Sequence, residues 1–145
     1  MLSGPPRNQA GEVLPHDHEG IHDEDGVIRR ISTLWVVSDP KTGQRVSTMA
    51  FEPSSGPNGG LSVDLQCEIV GAGKDAREYV MVPPWIGAIR FQAGQLRSEE
   101  LKVGYDPLPN QPFHGEAWGS FTRSKKKRLL TVGQWLVEID GVCLG

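Results

Sequence analysis

Apolar positions in this chain fall into short blocks separated by glycine and proline, and most blocks carry the period of a strand. Residues 27–37 are β-branched and apolar, and Asp39-Pro40-Lys41-Thr42-Gly43 closes them as a turn. Residues 44–51 read as the returning strand, which predicts a hairpin. The Pro, Ser, Gly and Asn residues of 53–60 make a loop long enough to move over a site. In Leu61-Ser62-Val63-Asp64-Leu65, alternation puts Leu61, Val63 and Leu65 on one face and Ser62 and Asp64 on the other. Residues 85–91 and 101–105 have the composition of strands. Helical turns are predicted at 74–79, ahead of Pro83-Pro84, and at 95–100.

Pro107, Pro109 and Pro112 fix φ and remove backbone donors, so residues 106–112 are expected as a stiff, extended arm. The arm leads into a strand over 113–118. There, period 2 turns His114 and Glu116 to one face and Phe113, Gly115 and Ala117 to the other. The best helical stripe comes last: Leu129, Val132, Leu136 and Ile139 recur at helical spacing behind an N-cap at Thr122 or Ser124, and Trp135 broadens it. Gly133 interrupts that stripe and costs about 1 kcal/mol relative to alanine in a helix, so a strand over 134–139 stands as the alternative. The pattern predicts a β-rich α+β protein: a single antiparallel or mixed sheet, partly barrel-like, with one or two short helices and a C-terminal helix.

Composition narrows the setting. Among 145 residues, 18 glycines and 11 prolines point to many turns rather than a helical bundle. A formal charge of -3 gives no general pull toward nucleic acid or an anionic membrane. No apolar run approaches the roughly 20 residues that span a bilayer, and the first residues lack the apolar stretch of a signal peptide. Cys67 and Cys143 are too few and too far apart for a disulfide framework or zinc knuckle. A cytoplasmic location is expected.

Residues 1–25 hold few large apolar side chains, so they are expected as a disordered or loosely docked acidic tail, with 26–145 as the globular domain. His16, His18 and His22 among five carboxylates suit a transition metal. A solvated acidic segment is the plainer reading, and no metal is assigned.

Three constellations carry chemistry. His114 and Glu116 share a strand face, as a general base and its orienting partner would. Arg29, Arg30, Ser47, Thr48, Ser62 and Asp64 recur at one phase on three successive strands, and arginine beside hydroxyls suits a phosphate or carboxylate ligand. Arg123, Lys125, Lys126, Lys127 and Arg128, next to Trp118 and Phe121, offer contacts to phosphates or to an anionic partner. They could equally clasp the acidic segment 17–25. No nucleotide-binding glycine loop, no G-x-S-x-G and no C-x-x-C is present.

The run from Ile86 to Gly119, with Leu96-Arg97, Pro107-Leu108-Pro109-Asn110 and His114-Gly115-Glu116 in order, resembles a set of short bacterial proteins of no established activity. Residues 46–51 and 60–64 share the resemblance. It nominates Arg97, Asn110, His114 and Glu116 as one site. A second resemblance is to ADP-ribosyltransferases, whose arginine, Ser-Thr-Ser and glutamate follow the order of Arg29 or Arg30, Ser47-Thr48 and Glu116. This chain departs from that pattern with Met49 at the second serine and His114 two residues before Glu116. That resemblance implies an NAD-using enzyme.

The expected function is binding of a small anionic ligand, or catalysis on it, in a pocket gathering His114, Glu116 and Arg97. The cofactor is left open. The alternatives are a protein- or nucleic-acid-interaction module and the NAD-using enzyme.

Overall fold

The computed structural model describes residues 2–145. In chain order the strands are β1 (Gly26–Ser32), β2 (Val36–Asp39), β3 (Gly43–Val46), β4 (Leu61–Leu65), β5 (Trp85–Gln92), β6 (Lys102–Tyr105), β7 (His114–Trp118), β8 (Gln134–Val137) and β9 (Val142–Cys143). The helices are α1 (Gln66–Gly71), α2 (Ala76–Val80), α3 (Ala93–Arg97) and α4 (Arg123–Val132), with 3-10 turns at Thr33–Trp35 and Thr48–Phe51. Six strands form an open antiparallel sheet in the order β6-β7-β4-β1-β5-β8. A small mixed sheet, β2-β3-β9, stands apart from it. The β-rich α+β expectation holds, although the large sheet does not close into a barrel. Among the described residues, no helix is long and apolar enough to cross a membrane.

Alternation along the strands gives the large sheet two apolar faces. On one, Val27, Ile31, Val63, Leu65, Phe91, Val103 and Ala117 pack with Phe51, Leu96 and Leu129. On the other, Ile28 and Ala88 pack against Ile69, Ala76 and Val80 of α1 and α2. Leu61, Val63 and Leu65 share a face as expected, since they alternate with Ser62 and Asp64, which sit opposite Glu116 and His114.

Several expected boundaries move. The run 27–37 is split by its 3-10 turn, where the Ser32 side chain accepts the Leu34 N–H. β1 joins the large sheet, and only β2 forms the hairpin with β3. Residues 48–51 are a 3-10 turn rather than strand, capped by the Ser47 hydroxyl. The proline segment is not extended. Leu108 and Gln111 exchange two backbone hydrogen bonds in a tight turn, which makes the segment the tip of a β6–β7 hairpin.

The last helix stops early. The Thr122 hydroxyl caps α4, but Gly133 leaves the helix with φ -67 and ψ 154. A Cβ at Gly133 would lie 2.7 Å from Ile89 Cγ2 and 2.9 Å from Phe91 Cε1. The chain passes so close to β5 there that it continues as β8, paired with β5. The strand alternative is therefore the one the structure adopts over 134–137, and the protein does not end in a helix.

Residues 2–25, expected as a tail, lie against β6 and α3. Ile21 is only 1% exposed within the main core. Polar side chains do the anchoring here, which is why a count of large apolar residues missed it.

Candidate functional site

The central seam of the large sheet is short. β1 and β4 pair only through Val27 with Leu65 and Ile28 with Asp64, whereas β5 follows β1 along its whole length and β7 follows β4 through Leu61 to Asp64. Beyond Ile28 the two central strands part. The side chains of Arg29 and Arg30, which leave β1 on opposite faces, both reach the opening. A pocket of about 380 Å³ lies there, lined among others by Arg29, Arg30, Trp35, Ser62, Trp85 and His114.

The two arginines differ in their partners. Arg30 makes a two-pronged ion pair with buried Asp64, at 2.8 and 3.1 Å. Arg29, 9% exposed, pairs with no carboxylate among the described residues. Its Nε donates to the Ala50 carbonyl at 2.8 Å and its Nη1 to the Ser62 carbonyl at 2.9 Å, and the guanidinium lies 4.7 Å from the centre of the Trp35 ring. The Ser62 bond bridges β1 to β4 where the strand ladder has stopped. Burial pulls the Arg29 pKa down to about 10, against the attraction of Asp64, so the group is still a cation at neutral pH.

His114 stands at the start of β7, opposite Asp64 on β4 and 5% exposed. Its Nδ1 is 2.8 Å from the main-chain oxygen of Asp106 and 3.5 Å from the Asp106 carboxylate. A carbonyl oxygen only accepts, so Nδ1 carries a proton and donates it. In the neutral ring Nε2 then holds a lone pair, and no group of the described residues takes it up. Burial alone would lower the His114 pKa. The hydrogen bonds to Asp106 and the charges of Asp106 and Glu116 outweigh that and raise it above 6.5. The orienting partner is thus Asp106, at the other end of the proline hairpin, rather than Glu116.

Glu116 lies on the same side of β7 and faces a second depression, shared with Asp106, Glu12 and the glycine-rich loop 54–59. Burial, followed by the Asp106 charge, pushes its pKa up to about 7, with His114 opposing. Donor atoms of Asp106, His114 and Glu116 lie within 4.8 Å of one another. Such a group can share a proton or hold a divalent cation. Nδ1–H is committed to the Asp106 carbonyl, so Nε2 is the ring nitrogen left for either use.

Other expected residues go elsewhere. Arg97 does not join His114: it bonds Asp17 at 3.0 Å, Asp23 at 2.8 Å, and the carbonyls of His18 and Ile21. Asn110 is exposed at the hairpin tip. Ser47 and Thr48 lie at the end of the small sheet, in a separate depression with Arg45, Arg123 and Lys127. The six polar residues of the second constellation therefore do not share one sheet face. The arginines, Ser47-Thr48 and Glu116 line three different depressions.

In the basic run, Lys126 pairs with Glu52 and Arg128 with Glu99, while Arg97 rather than this run clasps the acidic segment. His16 and His18 use both ring nitrogens: His16 on the Leu14 carbonyl and the Tyr105 N–H, His18 on the Ser3 carbonyl and the Gly20 N–H.

Asp106, Trp35 and Trp85 entered no expected site. For Asp106 a signal existed, since a hairpin across the prolines would have set it beside His114. For Trp35 and Trp85, distant in sequence, only the β1–β5 register brings them near each other, with Ser32 opposite Trp85. Comparison with protein-family models, with curated proteins and with solved structures finds no match.

Proposed function

We propose that the protein binds a small anionic ligand in the pocket at the β1–β4 opening, with His114 placed to exchange a proton with it. The observation that carries this reading is Arg29. A buried guanidinium bonded only to neutral carbonyls pays a desolvation cost that folding alone does not require, because an apolar side chain would fill the same space. A bound anion supplies the missing charge. Arg30, neutralised and held rigid by Asp64, shapes the wall, and the Ser62 hydroxyl and His114 Nε2 supply hydrogen-bonding groups there. His114 is fixed by Asp106 in the tautomer that presents a base, so acid–base chemistry on the ligand is within its reach.

A thermal-shift series with acetate, phosphate, citrate and nucleotides tests the reading on the wild-type chain and on Arg29→Gln. The expected result is a rise in Tm with at least one anion that disappears in Arg29→Gln. No shift with any anion, or a shift that survives the substitution, overturns it.

A second reading, docking of an anionic partner through α4, draws on Arg123 and Lys127. They are one turn apart, make no ion pair among the described residues, and line a depression of about 350 Å³ with Arg45, Ser47 and Thr48. Neutralising both should abolish such docking and leave the Arg29 pocket unaffected.

A further inference from the structure

Resting on the reading that the β1–β4 pocket takes an anion, we infer that its ligand is a monocarboxylate carried on a flat aromatic body. Charge sets the head group. Asp64 cancels Arg30 through two hydrogen bonds, which leaves Arg29 as the arginine of the pocket wall with no carboxylate hydrogen-bonded to it among the described residues. Asp106 and Glu116 lie close behind His114 and repel additional negative charge. A singly charged anion is balanced by Arg29; a phosphate dianion is not. The guanidinium has committed Nε–H and one Nη1–H to the Ala50 and Ser62 carbonyls, which leaves the second Nη1–H and the two Nη2–H groups as donors for a carboxylate.

The walls set the body. The Trp35 and Trp85 rings stand 5.9 Å apart at 40°, and both line the pocket. Leu108, also in the wall, is 40% exposed. Apolar groups left uncovered around a charged floor match a ligand with an apolar, planar end, which stacks on the indoles while its carboxylate meets Arg29. A volume of about 380 Å³ has room for such a molecule.

The test titrates the full chain at pH 7 with acetate, benzoate, 2-naphthoate, 2-naphthamide and inorganic phosphate, read by tryptophan fluorescence and by Tm. Benzoate and 2-naphthoate should bind at least about tenfold more tightly than acetate, and 2-naphthoate at least about tenfold more tightly than its uncharged amide. Trp85→Leu should reduce the preference for the aromatic acids over acetate. Equal affinity for acetate or phosphate and for the aromatic acids overturns the inference and leaves the anion pocket standing. Equal affinity for naphthoate and naphthamide overturns it too, because the carboxylate then contributes nothing. If no anion binds, the anion pocket itself fails and the inference falls with it. The amide comparison is made on the unmodified protein, so the result does not depend on any variant folding.

Discussion

At the scale of single residues, the molecule places its titratable groups against one another. Glu116 has its folded-state pKa near 7, above its ordinary 4.5. The folded protein therefore holds that proton more tightly than the unfolded chain, and stability falls as pH rises from about 4.5 to about 7. His114 acts with the same sign: its raised value favours the charged ring, a contribution present below pH 6.5 and lost as pH climbs through the folded value. The wild-type Tm should thus decline between pH 5 and 8. Glu116→Gln, which mimics the protonated acid, should match wild type at pH 5, exceed it at pH 8 and flatten the profile. A parallel pair of profiles would mean that neither burial nor the Asp106 charge raises the Glu116 pKa. Asp64 is the opposite case, a carboxylate whose charge is fully used. Asp64→Asn leaves the largely but not fully buried Arg30 without its partner, for an expected loss of up to about 3 kcal/mol, measurable by urea unfolding. Arg30→Lys, which keeps the charge but loses the fork, should cost less.

At the scale of elements, Gly133 separates two physical arguments by sign. Helix propensity alone makes Gly133→Ala stabilising by about 1 kcal/mol. In the fold, the new methyl would press on Ile89 and Phe91 at 2.7 and 2.9 Å, so the substitution should instead destabilise, by about 1–3 kcal/mol as overpacked cores do. A chemical-denaturation midpoint below wild type is the expected outcome, and one above it would restore the continuous helix. The same residue shows what the sequence could and could not carry. Local signals were legible: the alternation of Leu61 to Leu65, the turn at Asp39 to Gly43, the pairing of His114 with Glu116 on one face, the N-cap at Thr122. Each depends on neighbours a few positions away. What was not legible depends on contacts distant in sequence. The approach of Gly133 to β5 converts half of a helical stripe into β8, and the 3-10 turn at Thr33–Trp35 sends β1 and β2 to different sheets. The site suffered in the same way. Arg97 is one step from the resemblance that nominated it, yet Asp17 and Asp23 hold it, and no local pattern announces a pairing across 80 and 74 residues.

At the scale of the whole molecule, residues 2–25 act as a belt on the sheet's outer edge. β6 is an edge strand, and its outward-facing groups at Val103 and Tyr105 would be open to pairing with another chain. Instead the Val103 N–H donates to Asp17 Oδ1 at 2.9 Å, the Val103 carbonyl accepts from the His18 N–H at 2.9 Å, and the Tyr105 N–H donates to His16 Nε2 at 3.1 Å. Gly104 lies under this cover, where a Cβ would be 2.7 Å from His16 Nε2 and 2.5 Å from Trp118. Arg97 tightens the belt from α3, and Ile21 plugs it into the core. Deleting residues 1–22 should therefore cost more than a tail could. Loss of buried Ile21 alone is worth about 2–5 kcal/mol, or roughly 10 °C in Tm for a chain of this size. The truncated protein should also self-associate in sedimentation velocity, because the deletion uncovers the β6 edge. Gly104→Ala should produce a milder version in the full-length chain, with faster amide exchange at Val103 and Tyr105 and little change at β1 and β5. An unchanged Tm and a monomeric truncated protein would return residues 1–22 to the status of a solvated tail. That result would also remove the reason for Arg97 to sit apart from His114, since its partners Asp17 and Ile21 would then contribute nothing to holding the fold.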